Sequence, residues 1–156
     1  MKLYKVKKSN IDKKGLYAAK NIKIGTRIIQ YKGKIISNKK VENSSKFDNS
    51  KDIYLFDLNN RYSLDGDFSW NTARLVNHSC DPNCEVEGKG NKLWITAIKN
   101  IKKNQELSYD YGFGFDSDYK QFPCKCRSIK CCGYIVREDS RWRINKKFKK
   151  ILSISK

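Results

Sequence analysis

No apolar run in this 156-residue chain approaches the roughly 18 residues that a membrane-spanning helix requires. The opening stretch MKLYKVKKSNIDKKG also lacks the apolar centre of an export signal, so a soluble intracellular protein is expected. Acidic residues are few, 16 against 34 Lys and Arg, and histidine occurs once, at His78. Helical periodicity is weak, and no segment repeats at a period that would make a solenoid. Core material is not lacking. Apolar residues are 38% and aromatics 12% of the chain, enough burial to oppose chain entropy and to exclude wholesale disorder. The length suits one ordinary domain with a short appendage.

The apolar residues fall in short runs. RIIQYKGKII, DIYLFDL, RYSLD and KLWITAI are rich in Ile, Tyr, Phe and Leu and are separated by Gly, Asn and Asp, which predicts short strands in several small sheets. CEVEGKGNKLWITAI predicts a hairpin turning over residues 88–91. NKKVENSSKF predicts a turn or two of helix after Ser37, SWNTARLV a short helix entered from Ser69, and NSSKFDNSKD a mobile surface loop. In the tail, RWRINKKFKKILSISK spaces Trp142, Ile144, Phe148, Ile151 and Leu152 near a helical period. A solvated or frayed terminal helix is the first expectation there, and a DNA- or membrane-surface contact the second. The net charge of +18 is unevenly spread: residues 1–51 and 119–156 are strongly basic, while 52–118 is mildly acidic. Either lysine serves as a solubilising residue, or a partner presents anionic and cationic surfaces together.

Six cysteines without an export signal point to thiols and a metal site rather than to three disulfides. FPCKCRSIKCCGYI sets Cys124, Cys126 and Cys131 at C-x-C-x4-C, tight enough to wrap one tetrahedral zinc ion. The fourth ligand must come from Cys132, Cys84, Cys80 or His78. Adjacent residues rarely both ligate one ion, which disfavours Cys132, and a distant ligand would tie the C-terminal segment onto the central core.

GLYAAKNIKIGTRIIQYKGKII, DIYLFDL, RYSLDGDFSWNTARLVNHSCDPNCEV, QELSYDYGF and CKCRSIKCCGY follow one another in an order and spacing that resembles the SET-domain protein lysine methyltransferases with a post-SET zinc segment. The resemblance covers residues 13 to about 135, and NHSC-x-PN with ELxYDY is its specific part. It implies a mainly β fold of several small sheets with a pseudoknot, in which residues 77–83 thread beneath ELSYDY, plus a C-terminal zinc-binding segment. It implies a catalytic domain over 1–116, the zinc segment over 117–136 and a basic tail over 137–156. Cys80 would complete the zinc site with Cys124, Cys126 and Cys131. Lys14, Gly15, Tyr54, Arg74, Asn77 and His78 would hold S-adenosylmethionine, His78 as a cofactor contact rather than a general base. Tyr111 corresponds to the catalytic tyrosine, Tyr109 to the position that influences how many methyl groups are added, and Tyr31 to the lysine channel, which Tyr134 would close. The family's cofactor loop usually reads Gly-x-Gly, whereas Lys13 stands at its first place, and Trp70 stands where glycine is common.

The implied activity is S-adenosylmethionine-dependent lysine N-methylation, with a histone tail as expected substrate. Another lysine-rich protein, or a catalytically silent chromatin-binding module, are the alternatives. A basic tail would suit the acidic middle, including Asp57, Asp65, Asp67 and Glu85, while the basic flanks would lean on nucleosomal DNA. No membrane partner is expected, and the chain is expected as a monomer or homodimer. The nucleus or chromatin is the expected location, in a host cell if the source is a virus or an intracellular bacterium.

Overall fold

Runs of β-branched and aromatic residues, each interrupted after a few residues, build ten short strands in the computed structural model, which describes residues 1–47 and 54–148. In chain order they are β1 (Tyr4–Lys8), β2 (Lys14–Ala18), β3 (Arg27–Tyr31), β4 (Lys34–Ser37) and β5 (Leu55–Asp57). β6 (Tyr62–Asp65), β7 (Asn77–His78), β8 (Cys84–Lys89), β9 (Lys92–Ala97) and β10 (Ser108–Tyr109) follow. They form two three-stranded sheets, β3-β9-β8 and β4-β6-β5, and two pairs, β1-β2 and β10-β7. The mainly β architecture of small sheets is as expected.

Alternation along these strands buries one face. Leu16 and Ala18 of β2 and Ile95 and Ala97 of β9 are inaccessible or nearly so, and they pack with Val76, Ile101 and Leu107. Burying a Leu or Ile side chain contributes about 1.5–3 kcal/mol, so this cluster holds the small sheets together where no sheet is large enough to stand alone.

The parallel pairing of β7 with β10, Asn77 beside Ser108 and His78 beside Tyr109, is the knotted crossing. Asn83 stitches it: its amide donates to the Glu106 carbonyl at 2.8 Å, and its Oδ1 accepts the Ser108 N–H at 2.9 Å. Two segments far apart in sequence are thereby held edge to edge.

Several elements differ from expectation. RIIQYKGKII divides at Lys32–Gly33 into β3 and β4, which join different sheets. A Cβ on Gly33 would overlap the Asp65 carbonyl, so the close approach of β4 to β6 requires glycine there. β1 and β2 are absent from the expected strands; YKVKK has little apolar alternation of its own and becomes a strand through its register with β2. The hairpin turns over Gly90 and Asn91, with Gly90 at φ 60°. The helix after Ser37 runs over Asn38–Glu42, its first turn capped by the Ser37 hydroxyl. The turn expected from Ser69 starts later, as a 3-10 helix over Thr72–Leu75 entered from Asn71. Of the expected mobile loop, Ser45–Phe47 form a 3-10 turn and 48–52 lie outside the described residues. The tail is not a frayed helix as far as it is described: 3-10 turns cover Glu138–Arg143 and Lys146–Phe148, and Arg141 and Phe148 are buried. Ile151 and Leu152 lie outside the described residues. No helix among the described residues is long and apolar enough to cross a membrane.

Candidate cofactor cleft and thiol cluster

A cleft of about 840 Å³ opens beside the knotted crossing, and Lys14, Tyr54, Arg74, Asn77, His78 and Tyr111 all line it. Gly15 does not line it. It lies buried behind the wall, where a Cβ would overlap Glu106 Oε1. Lys13, at the place of the family's first loop glycine, takes φ 39°, so the left-handed turn survives without glycine. Arg74 sits 5.2 Å from the Tyr54 ring centre and 3.4 Å from Asp67.

Asn77 directs its amide nitrogen into the loop that carries Lys14. The Lys14 carbonyl lies at 3.2 Å, the Asp12 carbonyl at 3.3 Å and Glu106 Oε1 at 2.9 Å. Glu106 Oε1 also accepts the Ser9 hydroxyl at 2.7 Å, and Oε2 accepts the Tyr17 hydroxyl at 2.8 Å. Burial, then this carboxylate, raises the Tyr17 hydroxyl above its ordinary value, which keeps it a donor. Glu106 is thus the brace of the cleft's loop wall. It stands in the quoted ELSYDY segment, but only its distant partners reveal the role.

His78 is buried and held neutral, its value lowered to about 3 by burial first and by the Arg141 charge second. Its Nδ1 accepts the Tyr111 N–H at 3.1 Å, which assigns the ring proton to Nε2, 3.5 Å from Cys80 Sγ. With the ring neutral, the 3.6 Å approach of Asp110 to Nδ1 is no ion pair. The Tyr111 hydroxyl donates to the Val76 carbonyl at 3.0 Å. A line of rings leads away from it: Tyr111 to Tyr109 at 4.8 Å between centres, Tyr109 to Phe56 at 6.0 Å, Phe56 to Tyr31 at 4.7 Å. The Tyr31 hydroxyl donates to the Tyr54 carbonyl at 3.1 Å. Burial pushes both Tyr31 and Tyr109 well above the ordinary phenol value, so both stay neutral. Phe56 was not singled out from the sequence, since a Phe in a strand has no chemistry of its own to mark it. Tyr134 packs edge-on against Tyr119 and does not line the cleft, whose near wall is Phe122, Pro123 and Cys124.

The sulfurs of Cys80, Cys124, Cys126 and Cys131 lie within 4.8 Å of one another, with Cys80 and Cys124 at 3.8 Å. Zinc–sulfur bonds of about 2.3 Å in a tetrahedron place sulfurs about 3.8 Å apart, so the donor set fits zinc. Backbone N–H groups of Cys80, Cys126 and Gly133 point at the sulfurs of Cys126, Cys124 and Cys131. Burial works against the Cys126 thiolate, yet the N–H groups of Cys80 and Ser128, with the Cys124 and Cys131 side chains, outweigh it and bring that thiol to about 7. Cys132 turns instead to the Tyr134 carbonyl at 3.3 Å, and Cys84 is buried in the core, where burial pushes its thiol up to about 12.

Three of the four acids named in the acidic middle have partners within the chain. Asp65 is buried and paired with Lys46 at 2.5 Å, Asp67 lies beside Arg74, and Asp57 accepts the Ser63 hydroxyl at 3.0 Å. Of the four acids named from the sequence, Asp65 alone is buried; Asp57, Asp67 and Glu85 are exposed, and Glu85 stands at the β8 edge of its sheet.

Small β-sheets joined by a parallel crossing, with a cleft beside it and a four-thiol cluster that shares Cys124 with the cleft wall, define a mainly β protein with a candidate metal site. The SET domain model matches residues 13–112, and the chain belongs to the SET domain family. Histone-lysine N-methyltransferase 2D of Homo sapiens is 38% identical over 130 residues, 80% of this chain and 2% of its own length. Histone-lysine N-methyltransferase trithorax of Drosophila melanogaster is 34% identical over 134 residues, 82% of this chain and 4% of its own. Histone-lysine N-methyltransferase trr of the same fly is 37% identical over 130 residues, 80% and 5%. The chain therefore spans a small part of these relatives.

Proposed function

We propose that the protein is an S-adenosylmethionine-dependent protein lysine N-methyltransferase acting on a histone lysine. The observation that carries this reading is the line of rings Tyr31–Phe56–Tyr109–Tyr111, which meets the cleft at Tyr111 against His78. Similarity to proteins named histone-lysine N-methyltransferases supports the substrate class.

S-adenosylmethionine, when bound, supplies an electrophilic methyl group on a sulfonium sulfur. Lys14, Tyr54, Arg74, Asn77 and His78 would hold it, with Lys14 and Arg74 as cationic donors for its carboxylate and the neutral His78 as no competitor for positive charge. Gly15 lets their loop pass close to Glu106. Cys80, Cys124, Cys126 and Cys131 would hold a structural Zn²⁺ that braces the Phe122–Cys124 wall.

The tyrosines act on the incoming lysine. A free lysine, with a pKa of about 10.4, is mostly protonated near neutrality and cannot serve as a nucleophile. Tyr31 and Tyr109 are buried and neutral, so a side chain entering beside them loses water without meeting a charge on either ring, which lowers its pKa. The proton leaves to water, and no basic side chain is required. The Tyr111 hydroxyl, fixed by the Val76 carbonyl, leaves its oxygen lone pairs for orienting the nitrogen.

The substrate would be a histone tail at chromatin, with the nucleus as site of action and a basic face against nucleosomal DNA. Lys5, Lys7 and Lys103 support such a face: desolvation and the charges of Lys7 and Lys103 hold the Lys5 ammonium below its ordinary value. Labelled methyl transfer to core histones, to nucleosomes and to other lysine-rich proteins tests the whole. Transfer to a histone, abolished by Tyr111→Phe, is expected. Transfer only to a non-histone protein would overturn the substrate, and cofactor binding without transfer would overturn the activity.

A further inference from the structure

Arg141 belongs neither to the cleft lining nor to the thiol cluster, yet it is 3% exposed in a segment otherwise rich in exposed charge. Its three guanidinium nitrogens are all used: Nε donates to the Val136 carbonyl at 2.9 Å, Nη1 to the Cys80 carbonyl at 2.7 Å and Nη2 to Asp110 Oδ2 at 2.6 Å. Residue 80 follows β7, and residue 110 follows β10. One side chain from the C-terminal segment therefore grips both strands of the knotted crossing just beyond where they stop pairing.

What lies between those two grips is the contact that places Tyr111. The Ser79 N–H reaches the Tyr109 carbonyl at 3.1 Å, and the Tyr111 N–H reaches His78 Nδ1 at 3.1 Å. Both bonds join the 77–80 segment to the 108–111 segment, and nothing covalent near them prevents the two from sliding or parting. A buried ion pair is a poor source of stability, because apolar residues of similar volume commonly do as well. A planar fork with three fixed donors does hold three acceptors in one geometry, which an apolar side chain cannot.

We propose that Arg141 is a positioning residue: its guanidinium clamps Cys80 to Asp110 and thereby keeps Tyr111 in register against His78 at the cleft. The clamp comes from the segment after the last zinc cysteine, so that segment is part of the site's machinery rather than an appendage. The kinetic part of this inference rests on the methyltransferase function proposed above. The structural part does not.

The test uses the full zinc-loaded chain with Arg141→Ala, Arg141→Lys and, in the same segment, Arg137→Ala, whose ion pair with Asp139 is solvent-exposed. In Arg141→Ala, amide exchange at Ser79 and Tyr111 should quicken about tenfold or more while Ile95 and Thr96 of β9 keep their protection. Zinc content should stay at the wild-type value. The kcat should fall about 100-fold with the peptide KM within about threefold, the signature of a misplaced group rather than lost binding. Arg141→Lys keeps the charge and reaches fewer acceptors, so it should recover part of both, and Arg137→Ala should match wild type. Unchanged exchange at Ser79 and Tyr111, equal acceleration at every amide, or loss of zinc would each overturn the clamp. If Arg141→Ala does not fold, selective acceleration in Arg141→Lys decides the same point. A wild-type chain that transfers no methyl group sinks the methyltransferase function, and the exchange measurement still decides the clamp.

Discussion

Tyr109 and Tyr111 are two residues apart, and their hydroxyls meet different surroundings, which under the proposed function gives them different work. Tyr111 spends its proton on the Val76 carbonyl, whereas Tyr109 lies deeper, among Phe56, Tyr31 and Tyr111. A neutral phenol there can hold one water beside an incoming amine, in the space that a second or third methyl group would need. Tyr109→Phe should therefore raise the di- and trimethyl fraction of the product, read by mass spectrometry, and unchanged ratios would remove that role. Gly66 offers a second test. A Cβ there would run into the Tyr31 ring and its hydroxyl, so Gly66→Ala must push the ring aside. Overpacking of this kind costs about 1–3 kcal/mol, expected as a lowered melting temperature, and activity should fall by more than the unfolded fraction explains. Single residues whose chemistry sits inside a local motif, such as His78 and Tyr111, were legible in the sequence. Glu106 and Arg141 were not, since Glu106 meets Ser9 from 97 positions away and Arg141 meets Cys80 from 61, and no local pattern records such distances.

At the scale of elements, the strands read from the sequence are those with their own apolar alternation, β6, β8 and β9 among them. β1 has little: YKVKK becomes a strand through its register with β2, from Tyr4 beside Ala18 to Lys8 beside Lys14. The tail misled for a related reason, because its helical spacing counted apolar residues and missed that a buried arginine anchors it. The thiol cluster is the element-scale feature with the sharpest test. Cys80 follows β7 and the other three sulfurs come from 124–131, so an ion held among them would join the C-terminal segment to the crossing, beside the Arg141 contacts. Cys80→Ser and Cys126→Ser should lose zinc by atomic absorption, whereas Cys132→Ser and Cys84→Ala should retain about one ion per chain. Chelation of the wild type should also abolish binding of S-adenosylmethionine, because Phe122, Pro123 and Cys124 form a wall of its cleft. Retention of zinc by Cys80→Ser would mean that the 124–132 cysteines close the site alone.

Over the whole molecule, the charge of +18 is more outward-facing than its acidic middle suggested. Asp65, Asp67, Glu87 and Asp110 are engaged by Lys46, Arg74, Arg27 and Arg141, and Asp81 lies between Lys99 and Lys130. Intramolecular pairing thus takes up part of the acidic charge, and lysine and arginine remain in large surplus. Such a surface attracts a polyanion more than a basic tail; under the proposed function, the nucleosome's DNA rather than the histone peptide should then supply the long-range attraction, and the line of rings the selectivity. Nucleosome affinity should then fall steeply with salt, log K against log salt being linear with a slope of about −0.9 for each phosphate neutralised. Replacing Lys5 and Lys7 with glutamine should make that slope shallower by about 2, while turnover of a free histone peptide at constant salt stays the same. If the slope is identical in wild type and in the double variant, the β1 lysines do not face DNA, and the excess charge serves solubility alone.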